Sequence, residues 1–91
     1  MVAMPSDPDL KRLAWRAHHR GTKEADLLIG GFFDAHHGSW SADERAQFGD
    51  MMNEQDVDIM AWAHGVCKAP ERFAGPMIEA LQRLDYIRIA R

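Results

Sequence analysis

Ninety-one residues make one domain, and a domain this small buries only about 60–65% of the surface its unfolded chain exposes. Apolar residues form 46% of the chain and charged residues 27%, which excludes a disordered profile, and 11 basic against 14 acidic side chains leave a net charge of −3, which excludes a broad nucleic-acid footprint. The single cysteine, Cys67, excludes an internal disulfide framework and suits a reducing compartment. No apolar run approaches the ~20 residues of a membrane-spanning helix, so no direct membrane insertion is expected. Met1 to Arg12 has neither a signal-peptide core nor an Arg-rich, acid-free transit pattern. Bacterial cytoplasm is the expected location, or the mitochondrial matrix if a transit peptide has been removed.

Residues 1–6 read as a flexible end. Ser6 or Asp7 caps a first helix with Pro8 in its opening turn, and Leu10, Leu13, Ala14 and Ala17 form one buried stripe. Gly21 ends that helix, and Thr22 caps a second with Glu24 and Asp26 in its first turn. Ala25, Leu28, Ile29, Phe32 and Phe33 give this second helix the strongest amphipathic pattern of the chain, so it is the expected central element. Gly30-Gly31 inside it predicts a bend or close contact with a neighbouring element.

Asp34 to Trp40 reads as the exit from that helix. Ser41 and Glu44 form a capping box for a third helix running through Phe48, Met51 and Met52. Asn53-Glu54-Gln55 is a polar break and Asp56 a new cap. Val57, Met60, Ala61 and His64 then predict one buried face of a short fourth helix closed by Gly65. Pro76 opens a fifth helix whose stripe is Met77, Ile78, Leu81 and Leu84, before a basic end at 88–91. No stretch alternates with period two between turn signals. The expectation is all-α: a compact antiparallel bundle of five helices in a single domain, 1–91, with its core at about 8–87 and flexible ends.

The candidate chemistry is concentrated at the bend between the first two helices, where His18 to Asp26 places seven polar or charged side chains in nine residues. On residue chemistry alone this is a capped corner with a surface ion pair between Arg20 and Glu24 worth at most about 1 kcal/mol. Metal binding finds little support: adjacent residues on a helix point about 100° apart, so neither His18-His19 nor His36-His37 chelates one ion, and His64 with Cys67 supplies two ligands of the four a structural zinc site takes. His64 is expected to line the bundle and Cys67 to be a buried thiol. No G-x-S-x-G, H-E-x-x-H or phosphate-cradling loop is present, so no catalytic residue is assigned and the chain is not expected to be an enzyme. Trp15, Trp40 and Trp62 read as core or half-buried packing residues, any of which can anchor a partner.

Arg20-Gly21-x-x-Glu24, followed by Asp26, Phe32-Phe33, Glu44 and Phe48, then Asp56-x-Asp58 with Trp62 four residues on, resembles the small succinate dehydrogenase FAD assembly factors, or flavinators, from about Leu10 to Leu84. The resemblance implies a five-helix assembly factor that binds the flavoprotein subunit of succinate dehydrogenase, and in some bacteria of fumarate reductase. It also implies that the factor promotes covalent attachment of FAD to a histidine of that subunit, with no cofactor held stably by the factor itself. Its implied partner-binding residues are Arg20, Gly21 and Glu24, with His19, Lys23 and Asp26 around them. Many members carry Arg or Lys where this chain has His19. Arg20 is expected to offer donors to the partner, and Glu24 either to orient Arg20 or to meet a partner cation. The expected free state is a monomer. Two other classes stay open: a generic helical adaptor, and a helix-turn-helix nucleic-acid binder, against which the acidic run Asp43 to Asp58 argues.

Overall fold

Local capping starts most of the helices in the computed structural model, which describes residues 7–86. Asp7 accepts from the backbone N–H groups of Asp9 and Leu10 to open α1 (Pro8–His18), with Pro8 in the first turn, where its missing N–H leaves nothing unsatisfied. Thr22 Oγ1 accepts from Ala25 N to open α2 (Lys23–His36). Ser41 and Glu44 form the expected reciprocal box at the head of α3 (Ala42–Met51). Then come α4 (Asp56–Ala63) and α5 (Pro76–Arg83). No strand occurs among the described residues, and the fold is all-α. The expected flexible ends lie outside them.

The central role of α2 is borne out. Ala25, Leu28, Ile29, Phe32 and Phe33 are all buried, and α2 packs against both α1 and α4, while α4 packs against α5. Phe32 and Phe33 meet Phe48 and Trp40, and Phe32 also meets Tyr86 edge-on at 5.2 Å. Each buried phenylalanine contributes roughly 1.5–3 kcal/mol by leaving water. The Gly30-Gly31 pair marks close approach. A Cβ on Gly30 would stand 2.4 Å from His18 Nδ1 of α1, and one on Gly31 3.3 Å from the Tyr86 carbonyl.

Several expectations are corrected. The second helix runs on to His36 and a 3₁₀ turn (His37–Ser39) follows, so the exit comes after Asp34. The cap of α4 is Gln55, without a side-chain bond, and Asp56 is its first residue. Its buried face is Ile59, Trp62 and Ala63, whereas Val57 is 67% exposed and His64 is exposed. Cys67 is exposed rather than buried. Trp15 is exposed, while Trp62 is in the core and Trp40 is half-buried. Phe73 and Tyr86, which no stripe included, are core residues. Tyr86 donates its hydroxyl to the Leu81 carbonyl at 2.7 Å, and its pKa is raised well above the usual value by burial, with Asp85 adding to the effect.

Candidate functional site

The bend between α1 and α2 is built by a helix end, a glycine and a cap. Gly21 takes φ +116°, a conformation that L side chains rarely adopt, with open space where a Cβ would point. Thr22 returns to extended backbone and starts α2. The Arg20 backbone N–H, left over at the end of α1, donates to Asp26 Oδ1, so Asp26 closes the bend from the first turn of α2.

Arg20 does not pair with Glu24. Its guanidinium turns inward across the chain to the α3–α4 turn: Nε donates to Asp56 Oδ1 at 2.6 Å, Nη1 to the Met52 carbonyl at 3.0 Å and Nη2 to the Glu54 carbonyl at 3.0 Å. Only 10% of the side chain is exposed, against 25% for Asp56. The location has a physical logic. Met52 is the C-cap of α3, where backbone carbonyls lack helical partners and the helix dipole is negative; Asp56 opens α4 and is a carboxylate. A planar cation with a fixed fork of donors satisfies all three acceptors at once, which an ammonium does not. Arg16 Nη2 reinforces the same junction by donating to Asn53 Oδ1 at 2.7 Å, and Arg72 Nη2 donates to Glu54 Oε2 at 2.7 Å from the other side.

What the bend leaves on the surface is therefore a different set from the one expected. Glu24, Lys23, Gly21 and Thr22 are exposed, and neither Glu24 nor Lys23 makes an ion pair or side-chain hydrogen bond among the described residues. Arg20 and Asp26, expected to face a partner, are engaged internally. His19 is exposed and stacks on Trp15 at 4.4 Å, and its Nδ1 lies 2.7 Å from the Trp15 carbonyl. Because a carbonyl only accepts, Nδ1 carries the proton, and Nε2 is left as an outward acceptor when the ring is neutral. Trp15 itself is 60% exposed one turn before the bend, held in place by that stack. The residue that sequence reasoning missed is Asp56. It stood in the pattern Asp56-x-Asp58, but nothing local joins it to Arg20.

Of the other four histidines, His18, His36 and His37 have structural partners and His64 is exposed. His18 Nε2 meets Asp34 Oδ1 at 2.9 Å, and His37 stacks on Phe33 while its Nδ1 meets the Phe33 carbonyl. Among the described residues no three His, Cys, Asp or Glu side chains gather where they could hold a metal ion. A shallow groove along α3, lined by Asp43, Glu44, Gln47, Asp50, Arg72 and Phe73, is open to solvent. No described helix is long and apolar enough to cross a membrane.

Comparison with known proteins agrees with the resemblance. The chain is 36% identical over 78 residues to the FAD assembly factor SdhE of Acetobacter pasteurianus, covering 86% of this chain and 72% of that protein. It is 31% identical over 62 residues to the mitochondrial succinate dehydrogenase assembly factor 2 of Schizosaccharomyces japonicus, covering 68% of this chain and 43% of that protein. With the mitochondrial succinate dehydrogenase assembly factor 2 of Komagataella phaffii it shares 32% identity over 77 residues, 81% of this chain and 40% of that protein. The chain thus spans most of the bacterial relative but less than half of these two mitochondrial ones. No solved structure matches significantly. The family described as flavinator of succinate dehydrogenase matches residues 11–85, and the chain belongs to that family.

Proposed function

We propose that this chain is an assembly factor that binds the flavoprotein subunit of succinate dehydrogenase and promotes covalent attachment of FAD to it. The observation that carries the reading is the α1–α2 bend. In a chain of the flavinator family, it holds an exposed carboxylate on Glu24 without an internal partner, beside an open backbone at Gly21. Gly21 leaves room for a partner's main chain, Glu24 meets a cation of the partner, and Lys23 and His19 border the contact with Trp15. Arg20 and Asp26 serve this face from behind by fixing its shape.

The family consists of assembly factors rather than enzymes, and on this reading the residue that bonds the flavin belongs to the partner. The work of this chain is to hold the partner in reactive geometry, which supports rate enhancement without any reacting group of its own. It needs no stably bound cofactor for that. The reading extends to the flavoprotein subunit of fumarate reductase. The free chain is a monomer on this reading, and the large exposed apolar residues among those described fall on different elements: Trp15 on α1, Leu27 on α2, Val57 on α4 and Val66 after it. The relatives are bacterial and mitochondrial, and the bacterial cytoplasm or mitochondrial matrix is the proposed location.

Co-expression of the flavoprotein subunit with this chain carrying Gly21→Arg or Glu24→Ala tests the reading. In-gel flavin fluorescence of the denatured subunit should fall with either variant. Unchanged covalent flavin removes the bend from the function, and a pull-down that recovers no flavoprotein favours a generic helical adaptor.

A further inference from the structure

We propose that Asp56 is a positioning residue for this docking face, acting through Arg20 to fix the backbone from which Glu24 is presented; the inference rests on the docking role of the bend argued above. A glycine at φ +116° permits the bend but does not select it, because glycine samples both signs of φ with little penalty. The selection must come from neighbours. On the α2 side Asp26 holds the Arg20 backbone N–H, and Thr22 caps the helix. On the far side the holding is done by the guanidinium of Arg20, and among its acceptors only Asp56 is charged. The Met52 and Glu54 carbonyls are neutral acceptors, so the carboxylate supplies the strongest of the three bonds. The 2.6 Å contact joins residues 36 positions apart and ties the bend to the α3–α4 turn.

The consequence concerns affinity. If the bend loses its far anchor, Gly21 releases it into several conformations, and only a fraction present Glu24 correctly. Apparent affinity for the partner then falls by that fraction, although no contacting group has been removed. Asp58 offers a matched comparison. It lies in the same first turn of α4 and is exposed, and it makes no ion pair among the described residues.

The test is a double-mutant cycle between Asp56 and Glu24. It is read as the dissociation constant for the purified flavoprotein subunit of succinate dehydrogenase, with each variant first shown to keep its far-UV circular dichroism. Glu24→Ala and Asp56→Ala should each weaken binding by about tenfold or more, and the double variant should bind within about threefold of the weaker single one, since both remove the same contact. Asp56→Asn keeps an acceptor for Nε and should fall between wild type and Asp56→Ala; it carries the cycle if Asp56→Ala does not fold. Asp58→Ala should bind like wild type. Losses that multiply in the double variant overturn the inference, because Asp56 would then act independently of the Glu24 contact. Full affinity in Asp56→Ala beside a weakened Glu24→Ala overturns the inference alone. Full affinity in Glu24→Ala overturns the docking reading and this inference with it.

Discussion

Replacing Arg20 with alanine should destabilise the isolated protein far more than replacing Glu24, although both belong to one short motif. Hydrogen bonds to a charged group contribute about 1.5–3 kcal/mol each, and breaking a fully buried ion pair by removing one partner costs about 3–5 kcal/mol. Here the pair is not fully buried: Asp56 keeps 25% exposure and can regain water. The loss for Arg20→Ala should therefore be about 2–3 kcal/mol, a large part of the ~5 kcal/mol available to a domain at the lower end of the usual range. At about 4–8 °C per kcal/mol, the melting midpoint should drop by roughly 10–20 °C. Arg20→Lys should recover only about 1 kcal/mol, since one ammonium does not reproduce the fork that reaches three acceptors. Glu24→Ala should stay within about 0.5 kcal/mol, as exposed substitutions do. Guanidinium denaturation followed by tryptophan fluorescence gives these differences directly. A loss below about 0.5 kcal/mol for Arg20→Ala, or one equal to that of Glu24→Ala, would show that the guanidinium is not a structural tie.

Gly30→Ala should destabilise by about 1–2 kcal/mol even though alanine is the better helix former, because its Cβ would stand 2.4 Å from His18 Nδ1 and displace the ring from Asp34. In a His18→Ala background the same substitution should become stabilising by about 1 kcal/mol, and thermal denaturation of the four proteins would reveal whether the sign reverses. The buried Tyr86 hydroxyl has a folded pKa raised above its unfolded value, so its contribution is fully present below about pH 10 and is lost as pH rises towards the folded pKa, at roughly 1.4 kcal/mol per pH unit. Tyr86→Phe should remove that slope in denaturation measured from pH 9 to 11.5, and an unchanged slope would assign it elsewhere. Trp15→Ala should change stability by less than about 1 kcal/mol, since the ring is 60% exposed, yet weaken binding to the flavoprotein subunit by about tenfold or more if a fixed aromatic borders the contact. Full affinity in a calorimetric titration would place Trp15 outside it.

Much of the fold was legible because its signals are local. Asp7-Pro8, Thr22, Ser41 with Glu44, and Pro76 each mark a helix start within four residues, and the α2 stripe repeats over enough turns to be unambiguous. Where signals were short, the reading slipped. The α4 sequence Val57 to Ala63 is apolar almost all round, so periodicity over eight residues does not choose between the face of Val57 and Met60 and that of Ile59 and Trp62. Volume chooses: the indole of Trp62 packs with Phe73 at 5.6 Å, and Val57 is turned to solvent. Asp56 looked like a cap because the residue type suits one, but its carboxylate is claimed by a side chain 36 positions away. The exposure of Cys67 and the burial of Phe73 depend on the path of the segment between α4 and α5, which no local pattern dictates.

The site was legible in position but not in orientation, and the reason lies in Gly21. Residues four apart face one another only along an unbroken helix. The backbone has already left the helical region at His19, and between Arg20 and Glu24 it takes a positive φ at Gly21 and passes through extended Thr22 before α2 begins. Arg20 therefore lies in the bend itself and Glu24 in the first turn of α2, and their side chains leave in different directions, one to the α3–α4 turn and one to solvent. Opposite charge at that spacing suggested a pair; the glycine between them forbids it. A charge exchange, Arg20→Glu with Glu24→Arg, consequently should not restore either stability or flavinylation. It places a carboxylate against Asp56 and the Met52 and Glu54 carbonyls, and a cation where the proposed docking contact has the Glu24 anion. Recovery of covalent flavin in the exchanged protein would mean that the two residues act as a pair after all, and that the inward course of the Arg20 side chain is not what the working complex uses.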